Sequence, residues 1–230
     1  MRSGVLFDVD GTLVDSTYLH TVAWWEALRQ QGADVPMATI HRAIGMGSDK
    51  LLDHLLGPDR DHDKDAESST AHDVLYGAWW ERLRPLPGAA DLLRAVAGRG
   101  LAVALASSAK APELEHLRRV IDADDVIDAA TSSSDAAESK PAPDILQAAL
   151  DQSGIDPEAA VFVGDSIWDV KAAATLNIPC IGLTCGGTSA DELTEAGAAA
   201  VHDDPAALLA ALDKSAIADL SVGERAQHRQ

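Results

Sequence analysis

The stretch Val5-Leu6-Phe7-Asp8-Val9-Asp10-Gly11-Thr12 constrains this chain more than any other. Val5-Leu6-Phe7 reads as a short buried strand closed by a glycine turn, which puts both aspartates at its C-terminal mouth. In an open α/β sheet that edge is where ligands bind. Residues two apart on an extended backbone point the same way, so the carboxyl groups of Asp8 and Asp10 share one small space. Two unscreened carboxylates there repel. A divalent cation between them, or a proton on one, relieves the repulsion, and either condition points to chemistry. By itself the stretch reads equally well as an Asp-Gly turn.

The rest of the chain decides between the two. From residue 85 strand-like and helix-like segments alternate, and the strand-like runs keep ending in polar groups. Leu101 to Ala106 stops at Ser107-Ser108, and Ala160-Val-Phe-Val163 runs into Gly164-Asp165-Ser166-Ile167-Trp168-Asp169. Between these, Ser139-Lys140-Pro141-Ala142-Pro143-Asp144 leads into a helix, and a weak strand is expected near Val126-Ile127. Ile178 to Leu183 and Ala199 to His202 complete the strands. Such alternation predicts an α/β, Rossmann-like parallel sheet with helices on both faces.

Residues 15–84 show no strand pattern. Tyr18, Val22, Trp25 and Leu28 recur at helical spacing up to Gly32, and Ser48-Asp49 reads as the start of a helix after the Gly45-Met46-Gly47 break. Residues 57 to 68 read as a polar loop, followed by a helix in which Leu75, Trp79 and Leu83 stack. The pairs Trp24-Trp25 and Trp79-Trp80 are expected to pack the first of these helices on the last. The predicted organisation is a catalytic core of residues 1–14 and 85–220, an inserted helical cap of 15–84 above the strand ends, and a polar tail, 221–230. The polar texture of that tail begins at about residue 214.

With 230 residues and 47% hydrophobic content the chain can bury a full core. Its net charge of −19 argues against a nucleic-acid or anionic-membrane surface, since both need Lys and Arg to meet phosphates. No apolar stretch near the N-terminus matches a signal peptide or a membrane span, so a cytoplasmic monomer acting on a small molecule is expected. Cys180 and Cys185 fit neither a redox pair nor a zinc knuckle and read as core or near-core thiols. The histidines, His20 and His72 among them, show no metal-ligand spacing and are assigned no metal.

The converging groups are Asp8, Asp10, Ser107, Lys140, Asp165 and Asp169. They match what phosphoryl transfer needs: a carboxylate nucleophile, a proton donor, hydroxyl and ammonium donors for phosphate oxygens, and carboxylates for Mg²⁺. In order and spacing they resemble the four motifs of the haloacid dehalogenase-like superfamily, over residues 5 to about 184. The motifs stand here as Asp8-x-Asp10-Gly-Thr-Leu-Val, a strand ending in Ser107, Lys140-Pro-x-Pro-Asp, and Gly164-Asp165-x-x-x-Asp169. The helical insertion sits where that family carries its alpha-helical cap.

The resemblance implies that Asp8 attacks phosphorus to form an aspartyl-phosphate, while Asp10 protonates the leaving oxygen and later activates water. It implies a Mg²⁺ held by Asp8, Asp165 and the Asp10 backbone carbonyl, with Asp169 behind or as an occasional ligand. Lys140, Ser107 and Ser108 would meet the phosphate. An Asp at position 10 separates phosphatases and phosphomutases from the dehalogenase and phosphonatase branches, which need no such proton. The chain is similar to beta-phosphoglucomutases at Tyr18-Leu19-His20, Ala106 to Lys110 and Ser139 to Pro143. Where those enzymes carry a cap arginine for a second phosphate, this sequence has Ser48, and Lys50 is the only nearby substitute, without the bidentate fork. Hydrolysis as in phosphoglycolate phosphatase-like enzymes is therefore expected. A phosphomutase, or a binding protein of the same fold without turnover, stands as the alternative, and Lys50 is the expected cap contact to substrate.

Overall fold

A computed structural model describes residues 2–220. The elements run β1 (Arg2–Phe7), α1 (Thr17–Gln30), α2 (Met37–Ala43), α3 (Ser48–Leu56), α4 (Asp65–Gly77), α5 (Ala89–Ala97), β2 (Ala102–Ala106) and α6 (Ala111–Ile121). They continue β3 (Ala129–Thr131), α7 (Asp144–Ser153), β4 (Ile155–Gly164), α8 (Ile167–Thr175), β5 (Cys180–Leu183), α9 (Ala190–Ala196), β6 (Ala200–His202) and α10 (Pro205–Ala210).

The six strands form one sheet in the order β3-β2-β1-β4-β5-β6, and every pairing is parallel. This is the expected α/β sheet, and its order explains why the site forms where it does. β1 lies between β2 and β4, so the chain leaves it to one side first and to the other later. At such a switch point the loops after the strands diverge and open a crevice at their C-terminal ends.

Alternation along β1 sends Val5 and Phe7 into one apolar layer with Leu92, Leu93 and Leu117, and Leu6 into the other with Leu146, Phe162 and Leu150. Both faces of the sheet are therefore covered, which is why its strands read as continuous apolar runs. A third cluster lies among the helices between β1 and β2: Trp24, Leu28, Ile40, Leu51 and Leu52 are all at most 4% exposed. No helix among the described residues is long and apolar enough to cross a membrane.

Several local expectations change. The strand expected at Val126-Ile127 lies instead at Ala129–Thr131, because Asp124–Val126 closes a 3₁₀ turn first. α4 begins at Asp65, inside the stretch read as a loop, after the 3₁₀ turn His62–Lys64. It ends at Gly77, so Leu83 does not stack in one helix with Leu75. The tryptophan pairs separate. Trp24 stacks on His72 of α4 in the small cluster, whereas Trp79 and Trp80 pack against the larger sheet-side layer. Residues 214–220 are not a frayed tail: 216–220 are helical and Ile217 is fully buried. The polar tail proper, 221–230, lies outside the described residues.

Candidate active site

The turn after β1 carries Asp8 and Asp10 over the end of the sheet. The Asp8 amide still donates to the Val163 carbonyl of β4 (2.9 Å), so the nucleophile candidate sits on backbone locked into the sheet. Gly11, at φ 78°, turns the chain back, a conformation that favours glycine. β4 delivers Asp165, which accepts a hydrogen bond from Thr12 Oγ1 (3.0 Å). Ser166 then caps α8. Its Oγ accepts from the Asp169 amide (3.2 Å), and Asp169 Oδ2 accepts from the Ser166 amide (3.1 Å) and hydroxyl (2.7 Å). That capping box holds Asp169 one turn into the helix, facing back towards the strand ends.

Lys140 reaches the same point from the loop before α7 and is fully buried. Its Nζ lies 2.5 Å from Asp8 Oδ1 and 2.8 Å from Asp169 Oδ1. Burial disfavours an ammonium, but the charges of Asp169 and Asp8 outweigh it and raise the Lys140 pKa. One carboxylate oxygen each of Asp8, Asp165 and Asp169 lies within 4.8 Å of the others. Burial, opposed by Lys140 and reinforced by Asp169, pushes the Asp8 carboxyl up to about 7. Burial and the neighbouring Asp169 and Asp8 charges raise Asp165 too. Three buried carboxylates thus face a single ammonium. An all-oxygen donor set with surplus negative charge suits a hard divalent cation such as Mg²⁺.

Asp10 occupies a different environment. Its Oδ1 accepts from Ser16 Oγ (2.6 Å) and lies 3.2 Å from His20 Nε2. Burial would raise Asp10, but the hydrogen bonds from His20 and Ser16 and the His20 charge win and lower it. Burial would lower His20, but the Asp10 hydrogen bond and charge, with help from Glu113, raise it. The proton of this pair rests on the imidazole. His20 Nδ1 meets His72 Nε2 at 3.1 Å, His72 Nδ1 meets Asp73 Oδ1 at 3.2 Å, and Tyr76 stacks on His20 with ring centroids 3.8 Å apart. Burial holds His72 down to about 4, so it is neutral between two partners.

Of the residues singled out from sequence, Asp8, Asp10, Lys140, Asp165 and Asp169 come together at the end of the sheet. Ser107 is fully buried and its Oγ accepts from the Ala109 amide (3.0 Å), a local turn that leaves its hydroxyl proton to donate. Ser108 lines the adjoining cavity, with its Oγ 3.4 Å from the Gly45 carbonyl on the helical side. Lys50 is not brought in. It is paired with Glu138 at 2.9 Å and does not line the cavity. Sequence reasoning passed over His20, His72 and Glu113, which stand on three helices, α1, α4 and α6. For His20 the available signal was the Tyr18-Leu19-His20 match; for the other two there was none.

Residues 3–177 match the sequence model of the haloacid dehalogenase-like hydrolases. Phosphoglycolate phosphatase of Escherichia coli is 32% identical over 207 residues, covering 80% of this chain and 81% of that one. The crystal structure of a hydrolase from Pseudomonas syringae superposes with a TM-score of 0.88 at 32% identity, covering 93% of this chain and 99% of the other. CbbY from Rhodobacter sphaeroides, solved with phosphate, gives 0.75 at 28% identity, over 93% and 100% of the two chains.

Proposed function

The chain belongs to the haloacid dehalogenase-like hydrolases, and we propose that within them it is a Mg²⁺-dependent phosphatase acting on a small phosphorylated metabolite through an aspartyl-phosphate at Asp8. Its class, a phosphoric monoester hydrolase, follows from the family and its phosphatase relatives. The observation that carries the mechanism is the unequal treatment of two aspartates two residues apart. Asp8 is gripped by a buried ammonium at 2.5 Å, while Asp10 is gripped by an imidazole and a hydroxyl.

Asp8, Asp165 and the Asp10 backbone carbonyl would hold the cation, which when bound would offset phosphate charge and polarise a phosphoryl oxygen. Both oxygens of Asp169 are engaged, by Lys140 and by Ser166, so Asp169 positions the ammonium from behind. In its anionic form, which the Lys140 charge favours against burial, Asp8 attacks phosphorus; the bond from phosphorus to the leaving oxygen breaks. The leaving oxygen takes, through Asp10, the proton that rests on His20, which leaves Asp10 free to accept one. Water then attacks the aspartyl-phosphate and gives its proton to Asp10, freeing Asp8 and inorganic phosphate. Lys140, the Ser107 hydroxyl and the Ser108 amide donate to phosphate oxygens.

We take residues 15–84 as a cap closing over the strand ends, with 1–14 and 85–220 as the core. A phosphomutase must hold a second phosphate while its intermediate turns over, and among the described residues the cavity has no arginine in its lining to do so. Hydrolysis is therefore the better reading. Mg²⁺-dependent release of phosphate from p-nitrophenyl phosphate, with ³²P trapped on the Asp10→Asn variant, tests it; no release with any divalent cation would refute it.

A further inference from the structure

On the leaving-group side of Asp10, where the alcohol of a bound ester must lie, the cavity has a charge pattern of its own: one side-chain N or O atom each of Asp10, His20 and Glu113 lies within 4.8 Å of the others. The cavity, about 320 Å³, extends from Asp8 and Asp10 between α3 and α6. Beyond the two aspartates its charged lining among the described residues is Asp49, Asp73, Glu113 and Lys110, with no arginine. Lys110 is taken up by Asp73, with which its Nζ makes an ion pair. His20 is turned to Asp10, and His72 is neutral between His20 and Asp73.

Glu113 is the telling residue. It is 8% exposed and lines the cavity, yet among the described residues its Oε1 has no hydrogen-bond partner. The nearest cationic nitrogen, His20 Nε2 at 3.5 Å, is turned to Asp10. A buried acceptor without a donor costs free energy unless something entering the cavity donates to it. The first turn of α3 also borders the cavity, and a helix N-terminus attracts anions. Here Asp49 already stands in that turn, with its Oδ1 accepting from Ser139 Oγ at 2.5 Å. A second anion on the substrate would meet Asp49 and Glu113 rather than a free cation.

Building on the phosphatase reading above, we infer that the enzyme selects phosphomonoesters whose alcohol ends in an uncharged or cationic hydrogen-bond donor, a hydroxyl or an ammonium, received by Glu113. Esters carrying a carboxylate or a second phosphate are rejected at this end.

Three two-carbon phosphates of nearly equal size test this: 2-hydroxyethyl phosphate, O-phosphoethanolamine and phosphoglycolate, with p-nitrophenyl phosphate as the reference for the chemistry. With Mg²⁺ at pH 8, where Glu113 is ionised, and at low ionic strength, kcat/KM for the hydroxyl or ammonium ester should exceed that for phosphoglycolate by about tenfold or more, a moderate like-charge penalty near a protein surface. Which of the two leads tells a polyol from an amine as the natural terminus. In Glu113→Gln the ratio of ammonium ester to phosphoglycolate should shrink by about tenfold, whatever the loss of its charge beside His20 does to the rate common to all four substrates; a merely structural role would lower all four together and leave that ratio unmoved. Asp49→Asn, at an exposed turn, should narrow the same ratio. Phosphoglycolate turned over as well as the other two, or a ratio unmoved by both variants, overturns the inference while leaving the phosphatase intact. Failure with p-nitrophenyl phosphate as well would instead remove the phosphatase reading itself.

Discussion

The end of the sheet and the helical layer above it are built on opposite principles. At the strand ends every ionisable group is buried and held by at least one partner. Lys140 is shared by Asp8 and Asp169, Asp165 is held by Thr12, and Asp169 is locked by the α8 cap. On the helical side the cavity is bordered by Gly45-Met46-Gly47, by Asp49 and Asp73, and by a small cluster around Leu28 and Leu52. The first arrangement suits a reaction that is the same for every phosphate ester, because preorganised charge need not reorganise during the reaction. The second suits a choice among alcohols, which needs adaptable contacts. Between the two stands Asp10, attached to the sheet yet held by His20 of α1.

The sharpest way to break this contrast is at Asp8 and Asp10. Asp8→Asn should abolish turnover and phosphoenzyme with every substrate. Asp10→Asn keeps the nucleophile, so a burst of aryl phosphate cleavage should survive and aspartyl-phosphate accumulate, while alkyl phosphates slow by about 10²–10⁴-fold. Rapid-quench kinetics on both substrate types decides this, and equal loss in both bursts would contradict the roles given to the pair.

Next comes Lys140→Met, which leaves the stem and removes the only buried ammonium among three carboxylates. Breaking a buried pair of this kind costs about 3–5 kcal/mol, so denaturant unfolding should show a loss of that order together with loss of activity. A change below 1 kcal/mol would mean that the strand-end charges do not depend on Lys140.

On the helical side, Leu52→Ala empties part of the small cluster and should cost about 2–5 kcal/mol. If the division of labour is right, KM for alkyl phosphates rises more than the burst rate with p-nitrophenyl phosphate falls. Equal effects on both would show that the layers act as one.

Glu113 carries a pH signature. Burial raises its pKa from 4.5 to about 7, so the native state keeps a proton that the unfolded chain loses first. Its contribution to stability is whole below pH 4.5 and is lost as pH rises through 7. His72, held down to about 4, runs the other way: its contribution is present above 6.5 and lost as pH falls towards 4. Glu113→Gln should therefore gain stability over wild type as pH rises from 4.5 through 7, by about 3 kcal/mol at pH 8. Parallel stability curves for the two proteins would exclude a raised Glu113. The smallest effect is expected at Lys50, whose pairing with Glu138 is on the surface; Lys50→Met should change stability by about 0.5 kcal/mol or less and leave kcat/KM within about twofold.

The sequence by itself determined the sheet and which groups reach its edge. Each of Asp8, Ser107 and Asp165 follows directly on an apolar run, and an apolar run of that length in an alternating α/β pattern has few other places to go. Asp169 was legible for the same reason, since a helix beginning at Ser166 fixes its distance from Asp165 by local geometry. Lys50 showed the limit. Its position after Gly47 was readable, but which way a surface lysine turns depends on Glu138, 88 residues away. The same holds for the trio around Asp10. His20, His72 and Glu113 carry no common spacing, and they meet only because α1, α4 and α6 pack against the end of the sheet. Strand-end chemistry is written locally, in residues joined by a few peptide bonds. The partner that sets a proton's position, or leaves an acceptor without a donor, is chosen by packing between distant helices, which only the tertiary structure decides.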